Sequence, residues 1–151
     1  MKFIADSMLG RLARYMRAAG YDVAYFKYMD DTSLLELASS QDRIILTRDS
    51  LIQRSKTFKE KQPDIILIVS SDYKEQLKQL KDQINLKLDA VFDRCIYCNR
   101  RLESVSKEDY KESIPSYPFK TCHSFMRCSA CNRLYWYGSH CKKISQTLSS
   151  I

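Results

Sequence analysis

The sequence is poor in glycine and proline, with three of each among 151 residues. Gly10, Gly20 and Gly138 are too scattered to form a G-x-G-x-x-G turn or a P-loop. This argues against a doubly wound nucleotide domain that cradles phosphate on a glycine-rich turn. No apolar run approaches the ~20 residues of a membrane-spanning helix. The opening Met1-Lys2-Phe3-Ile4-Ala5-Asp6 turns acidic too soon for a secretory leader. The expectation is a cytoplasmic protein without a membrane partner. Cysteine is missing from the chain until Cys95, and then six appear: Cys95, Cys98, Cys122, Cys128, Cys131 and Cys141. In a reducing compartment that clustering points to metal rather than to disulfides.

What remains is an ordinary globular composition, 44% hydrophobic and 28% charged. The net charge is +7, and most of the excess lies beyond residue 90. A basic balance favours polyanionic partners, although a merely solvated basic surface has the same charge.

The stretch Ile44-Ile45-Leu46-Thr47-Arg48-Asp49-Ser50 anchors the reading of the fold. It is short, β-branched and apolar, and it ends abruptly in a hydroxyl, a cation and a carboxylate. Such a run reads as a central strand buried on both faces. Phe3-Ile4-Ala5, Asp22–Phe26 and Asp64–Val69 read as further strands. Helical spacing follows each one. Leu9, Leu12, Met16 and Ala19 precede the stop at Gly20. Leu34, Leu35, Leu37 and Ala38 follow Asp30-Asp31-Thr32-Ser33. A short helix is expected over 51–59, and Leu77, Leu80 and Ile84 follow Ser71-Asp72. Arg11, Arg14 and Arg17 are expected on the polar side of the first helix. Alternating strands and helices predict a parallel sheet in a three-layer α/β/α sandwich. Ala90–Phe92 reads as a last strand or as a linker. The expected boundary lies near residue 90, with an α/β domain over 1–90 and a cysteine-rich module over 91–151.

In an open parallel sheet, ligands bind beyond the carboxyl ends of the strands. Asp6 follows the first strand, Asp30 and Asp31 the second, and Asp49 the third. Carboxylates gathered at one edge repel one another, and a divalent cation relieves the repulsion. Oxygen-only ligands suit Mg²⁺ or Mn²⁺. Such a metal activates water and stabilises charge on a phosphodiester. Each acid also has a plainer reading as a helix cap, Asp30 and Asp31 above all. Ser33 with Glu36 and Asp72 with Glu75 fit capping boxes. Arg11, Arg14 and Arg48 are candidates to neutralise phosphates near the rim, with ordinary surface charge as the alternative.

Arg94-Cys95-Ile96-Tyr97-Cys98-Asn99-Arg100 is echoed by Arg127-Cys128-Ser129-Ala130-Cys131-Asn132-Arg133. Two C-x-x-C knuckles supply four thiolates, the closed set of a structural zinc site. A module this small would draw much of its folding energy from the metal. Cys122 and Cys141 are left over and read as small hydrophobes. Trp136 reads as the anchor of the module on the α/β domain. Tyr135 and Tyr137 are candidates for base stacking if exposed.

These pieces resemble a family. Phe3–Arg14, Gly20-Tyr21-Asp22, Asp30-Asp31 with Leu34–Ala38, and Ile45–Asp49 look like the PIN-like nucleases. They are most similar to the RNase domain at the C-terminus of mutator-type exonucleases, the Mut-seven C-terminal domain. That domain is followed by a zinc ribbon ending in a segment like Tyr135–His140. The resemblance implies an Mg²⁺- or Mn²⁺-dependent ribonuclease acting on RNA. Asp6, Asp31 and Asp49 match its acidic centre, and Asp30 is a candidate fourth. PIN-like nucleases generally carry one more acid after the third strand's aspartate. Here Ser50 follows Asp49, which leaves Asp72 as the other candidate. The incomplete set keeps a second expectation open, a non-catalytic RNA-binding module.

Overall fold

The computed structural model describes residues 1–151. Four short strands, β1 (Lys2–Ala5), β2 (Asp22–Tyr25), β3 (Ile44–Thr47) and β4 (Ile65–Leu67), form one parallel sheet. Their order is β2-β1-β3-β4. Helices α1 (Gly10–Ala18), α2 (Asp31–Gln41), α3 (Lys56–Lys61) and α4 (Tyr73–Ile84) alternate with them.

Side chains alternate across a strand, so consecutive apolar residues serve opposite faces. Phe3, Ala5, Val23 and Leu46 join Leu12 and Met16 of α1 and Leu77 and Leu80 of α4 in one cluster. Ile4 and Ile45 join Leu34, Leu35 and Ala38 of α2, with Ile52, in another. The sheet is therefore covered on both faces, and the three expected layers are present. Each fully buried Leu, Ile or Phe contributes about 1.5–3 kcal/mol.

The scarcity of glycine shows at the helix ends. After α1, Gly20 takes the left-handed conformation at φ +90. The stops of α2, α3 and α4 fall instead on Asp42, Gln62 and Asn85, at φ 53, 46 and 53. That conformation costs a residue with a Cβ roughly 1–2 kcal/mol, and least for Asn and Asp. Gly10 is small for a different reason. A Cβ there would stand 2.7 Å from the Tyr25 hydroxyl.

Some local expectations are corrected. The helix expected over 51–59 is a tight turn at Ile52–Arg54 followed by α3. The two are divided at Ser55, whose hydroxyl accepts from Phe58 N at 3.1 Å and caps α3. The Ser33–Glu36 capping box does not form, because Asp30 is the N-cap of α2 and Ser33 lies inside the first turn. Ala90–Phe92 is linker: the Val91 and Phe92 amides both donate to the Ala18 carbonyl, at 3.0 and 2.9 Å. Arg17 is buried rather than on the polar side of α1.

Beyond the linker, β5 (Glu103–Val105), β6 (Phe125–Arg127) and β7 (Leu134–Trp136) make a small antiparallel sheet. It is accompanied by α5 (Ser116–Thr121) and closed by α6 (Ser139–Ser149). Ile144 and Leu148 of α6 pack in the same cluster as Phe3 and Leu12, together with Ile96. One apolar core thus runs from the parallel sheet into the cysteine-rich part. No helix is long and apolar enough to cross a membrane.

Candidate active site and metal centre

The chain leaves β1 to build β2 on one side and returns to build β3 on the other. The order reverses at β1, and the edge beyond the carboxyl ends of β1 and β3 is the usual ligand position in such sheets. Asp6 is the first residue after β1 and Asp49 the second after β3. Asp31 is the first residue of α2, at the end of the loop from β2. Burial pushes the Asp31 carboxyl above its ordinary value, and the charges of Asp49, Asp6 and Asp30 push it further. The acids of three successive strand ends therefore share one field.

Thr47, the last residue of β3, organises two of them. Its fully buried hydroxyl donates to Asp6 Oδ2 at 2.8 Å and accepts from the Asp49 amide at 3.0 Å. Ser7 Oγ donates to Asp6 Oδ1 at 2.9 Å. Asp49 Oδ1 in turn accepts from Leu51 N at 2.8 Å. The Thr47 contact escapes sequence reasoning, since a hydroxyl at a strand end carries no periodic signal. Its place between two aspartates at one sheet edge is the only hint.

The remaining candidates divide. Asp30 turns to its own helix, accepting from Ser33 N at 3.0 Å and Ser33 Oγ at 2.7 Å. These bonds hold its carboxyl below the ordinary value. Asp72 caps α4 by accepting from Lys74 N and Glu75 N at 2.9 and 3.3 Å. Arg48 keeps a buried Nε without a hydrogen-bond partner. Arg11 lies over the Tyr73 ring and Arg14 over the Tyr97 ring, at 4.5 and 5.1 Å from the centroids.

The second constellation is tighter. The ligand atoms of Cys95, Cys98, Cys128 and Cys131 all lie within 4.8 Å of one another. The sulfur of Cys95 is 3.3 Å from Cys98 and 3.7 Å from Cys131, and Cys98 is 3.4 Å from Cys128. Tetrahedral zinc with Zn–S bonds near 2.3 Å requires S–S edges of about 3.8 Å. Both knuckles fold alike. Cys95 N donates to Arg100 O and Asn99 N to Cys95 O, just as Cys128 N donates to Arg133 O and Asn132 N to Cys128 O. Asn99 and Asn132 both sit at positive φ, which Asn tolerates. Burial and the neighbouring thiols push Cys98 up. Burial also pushes Cys131 up, but hydrogen bonds, led by the Arg133 backbone, pull it down to about 6. A divalent cation holds all four as thiolates, so the donor set fits zinc.

The model of the Mut7-C RNAse domain family matches residues 1–148. The chain belongs to this family. No curated protein matches the chain, and no solved structure does. Family membership assigns this Mut7-C chain an RNase-type role.

The first knuckle of the Mut7-C domain is built into the α/β core. Arg17 donates from Nε to Val23 O at 2.8 Å and from Nη1 to Ile96 O and Tyr97 O at 3.1 and 2.8 Å. Burial lowers its pKa, while Cys95, Cys98 and Asp22 oppose that effect. Asn99 Oδ1 accepts from Val23 N at 3.0 Å, and its Nδ2 donates to Asp22 Oδ1 at 2.8 Å. Asp22 also pairs with Arg43 at 2.7 Å. The anchoring expected of Trp136 falls to Tyr135. Tyr135 packs on the main core with its hydroxyl 3.0 Å from Cys95 Sγ. Trp136 lies against Phe125 within the small sheet, ring centroids 6.1 Å apart. Tyr137 is exposed, and Cys141 Sγ lies 3.4 Å from Trp136 O.

Proposed function

We propose that this protein is a metal-dependent ribonuclease whose centre is Asp6, Asp31 and Asp49. The observation that carries this reading is the placement of the acids: Thr47 ties Asp6 to the Asp49 backbone at two neighbouring strand ends, and Asp31 opens α2 close enough that burial first, then the charges of Asp49 and Asp6, raise its carboxyl. An all-oxygen set with unrelieved repulsion fits Mg²⁺ or Mn²⁺. A bound cation of that kind would polarise the phosphodiester and lower the pKa of water. Thr47 and Ser7 fix the Asp6 carboxylate, and Thr47 also fixes the Asp49 backbone, so two of the acids are preorganised. Arg48, next to Asp49 in sequence and half-buried, supplies a cation for the phosphate.

In this reading residues 1–90 carry the chemistry. Residues 91–151 form a zinc ribbon that grips RNA through a basic surface. Arg14 and Arg133 both lie over Tyr97, at 5.1 and 4.1 Å, and offer one such cationic site.

The test is cleavage of labelled single-stranded and structured RNA with Mg²⁺, with Mn²⁺ and without either. Zinc content is measured in parallel. Metal-dependent cutting that disappears in Asp6→Asn and Asp49→Asn, with folding intact, supports the reading. The capping roles of Asp30 and Asp72 leave no free fourth acid among the candidates, which keeps a second reading in view. Salt-dependent binding without cleavage would establish a non-catalytic RNA-binding module instead.

A further inference from the structure

Every strand of the parallel sheet ends in a loop that leaves a large apolar side chain in solvent. Met8 follows β1 and is 63% exposed. Phe26 and Tyr28 follow β2 at 46% and 88%, Leu51 follows β3 at 56%, and Val69 follows β4 at 80%. Because the strands are parallel, all five share the edge that carries Asp6, Asp31 and Asp49. Four neighbouring strands spread them across roughly 14 Å. None belongs to either core cluster. Single exposed apolar residues are ordinary, but a row along one functional edge marks an interaction surface.

The chemistry of the edge selects the occupant. Lys27 Nζ stands 5.0 Å above the Tyr28 ring, and Arg48 adjoins Asp49 in the chain, half-buried. Apolar and aromatic surfaces, cations and a carboxylate centre therefore alternate within a short span. An apolar peptide or lipid tail would leave the charges unmatched. Flat bases joined by phosphates match all three features, with bases on the apolar side chains and phosphates at the cations and the centre.

We propose that Met8, Phe26, Tyr28, Leu51 and Val69 form a base-contacting rim that seats unpaired nucleotides on either side of the phosphodiester. This rests on the ribonuclease reading of the acidic centre. Duplex RNA keeps its bases stacked inside the helix and cannot present them to the rim. Stacking on Tyr28 is indifferent to base identity, so the rim selects for unpaired chain rather than for sequence.

The test uses the full, zinc-loaded chain and an unstructured oligoribonucleotide carrying 2-aminopurine. Wild-type protein should quench the probe on binding, and Tyr28→Ala should abolish the quench. The same variant should raise KM for that RNA about tenfold while kcat changes by less than about twofold. Tyr28→Phe should restore both readouts. Because quenching needs no cleavage, the two readings fail separately. A wild type that never cuts, but whose quench is lost in Tyr28→Ala, overturns the nuclease and keeps the rim. Unchanged KM and quenching in Tyr28→Ala and in Met8→Ala/Leu51→Ala overturn the rim and leave the nuclease. Equal weakening on single-stranded and duplex RNA also overturns it.

Discussion

The Arg17 guanidinium donates to the Tyr97 carbonyl at 2.8 Å, across the junction between the parallel sheet and the cysteine knuckle. It is a buried cation whose hydrogen-bond partners are all backbone carbonyls, of Val23, Ile96 and Tyr97. Its negative counterweight lies among the knuckle thiolates and Asp22. Metal site and sheet are therefore joined electrostatically as well as by packing.

Arg17→Met should destabilise the protein by at least ~2 kcal/mol, because it strands buried carbonyls. Arg17→Lys should not restore the loss, since an ammonium lacks the planar fork that reaches Val23 and Tyr97 together. Thermal unfolding of the zinc-loaded protein measures both.

Removing zinc, by chelation or by Cys128→Ser, should weaken the whole molecule rather than the small sheet alone. Ile144 and Leu148 sit in the core with Phe3 and Leu12, so the parts share their apolar contacts. Calorimetry should record one cooperative transition moving to lower temperature. Two separate transitions, with the upper one unmoved, would show that the halves melt independently.

Thr47→Val keeps shape and burial but deletes the hydroxyl between Asp6 and the Asp49 amide. It should cost about 1–3 kcal/mol of stability, from the unpaired amide. If the acidic centre is the catalytic one, RNA cleavage should fall far more than folding does, and Thr47→Ser should recover most of it. Equal rates for Thr47→Val and wild type would remove Thr47 from the site.

Asp31 titrates above its unfolded value, so the folded state binds the extra proton more tightly. Stability should therefore fall as pH rises from the ordinary aspartate range through the folded pKa, and remain lowered above it. Asp31→Asn should raise the melting temperature of the divalent-free protein at neutral pH and abolish cleavage. Added Mn²⁺ should narrow the stability difference. A lower melting temperature for the variant at neutral pH would contradict the repulsion.

The sequence disclosed what depends on local pattern. Ile44–Thr47 is a strand because its neighbours are apolar and β-branched, and Asp6 and Asp49 follow from where such strands stop. The two R-C-x-x-C-N-R knuckles were legible for the same reason, and they fold alike. What escaped was set by partners far along the chain. Arg17 keeps the spacing of Arg11 and Arg14 yet turns inward, because Ile96 and Tyr97 wait there. Ser33 looked like a cap, but Asp30 stands at the helix start and takes the role. The helix α6 was hidden in a polar stretch whose apolar signal is little more than Ile144 and Leu148 one turn apart. Trp136 drew attention by size, while the smaller Tyr135 reaches both the core and Cys95.

The strand β2 is the outer member of its sheet. An open strand edge is a template for pairing with another molecule. Here the Val23 amide is already taken by the Asn99 side chain, held in place by the folded first knuckle. Loss of zinc would release that side chain and unmask the edge. The ion thus also protects solubility: metal-depleted protein should be prone to sheet-to-sheet self-association, even while its α/β core survives.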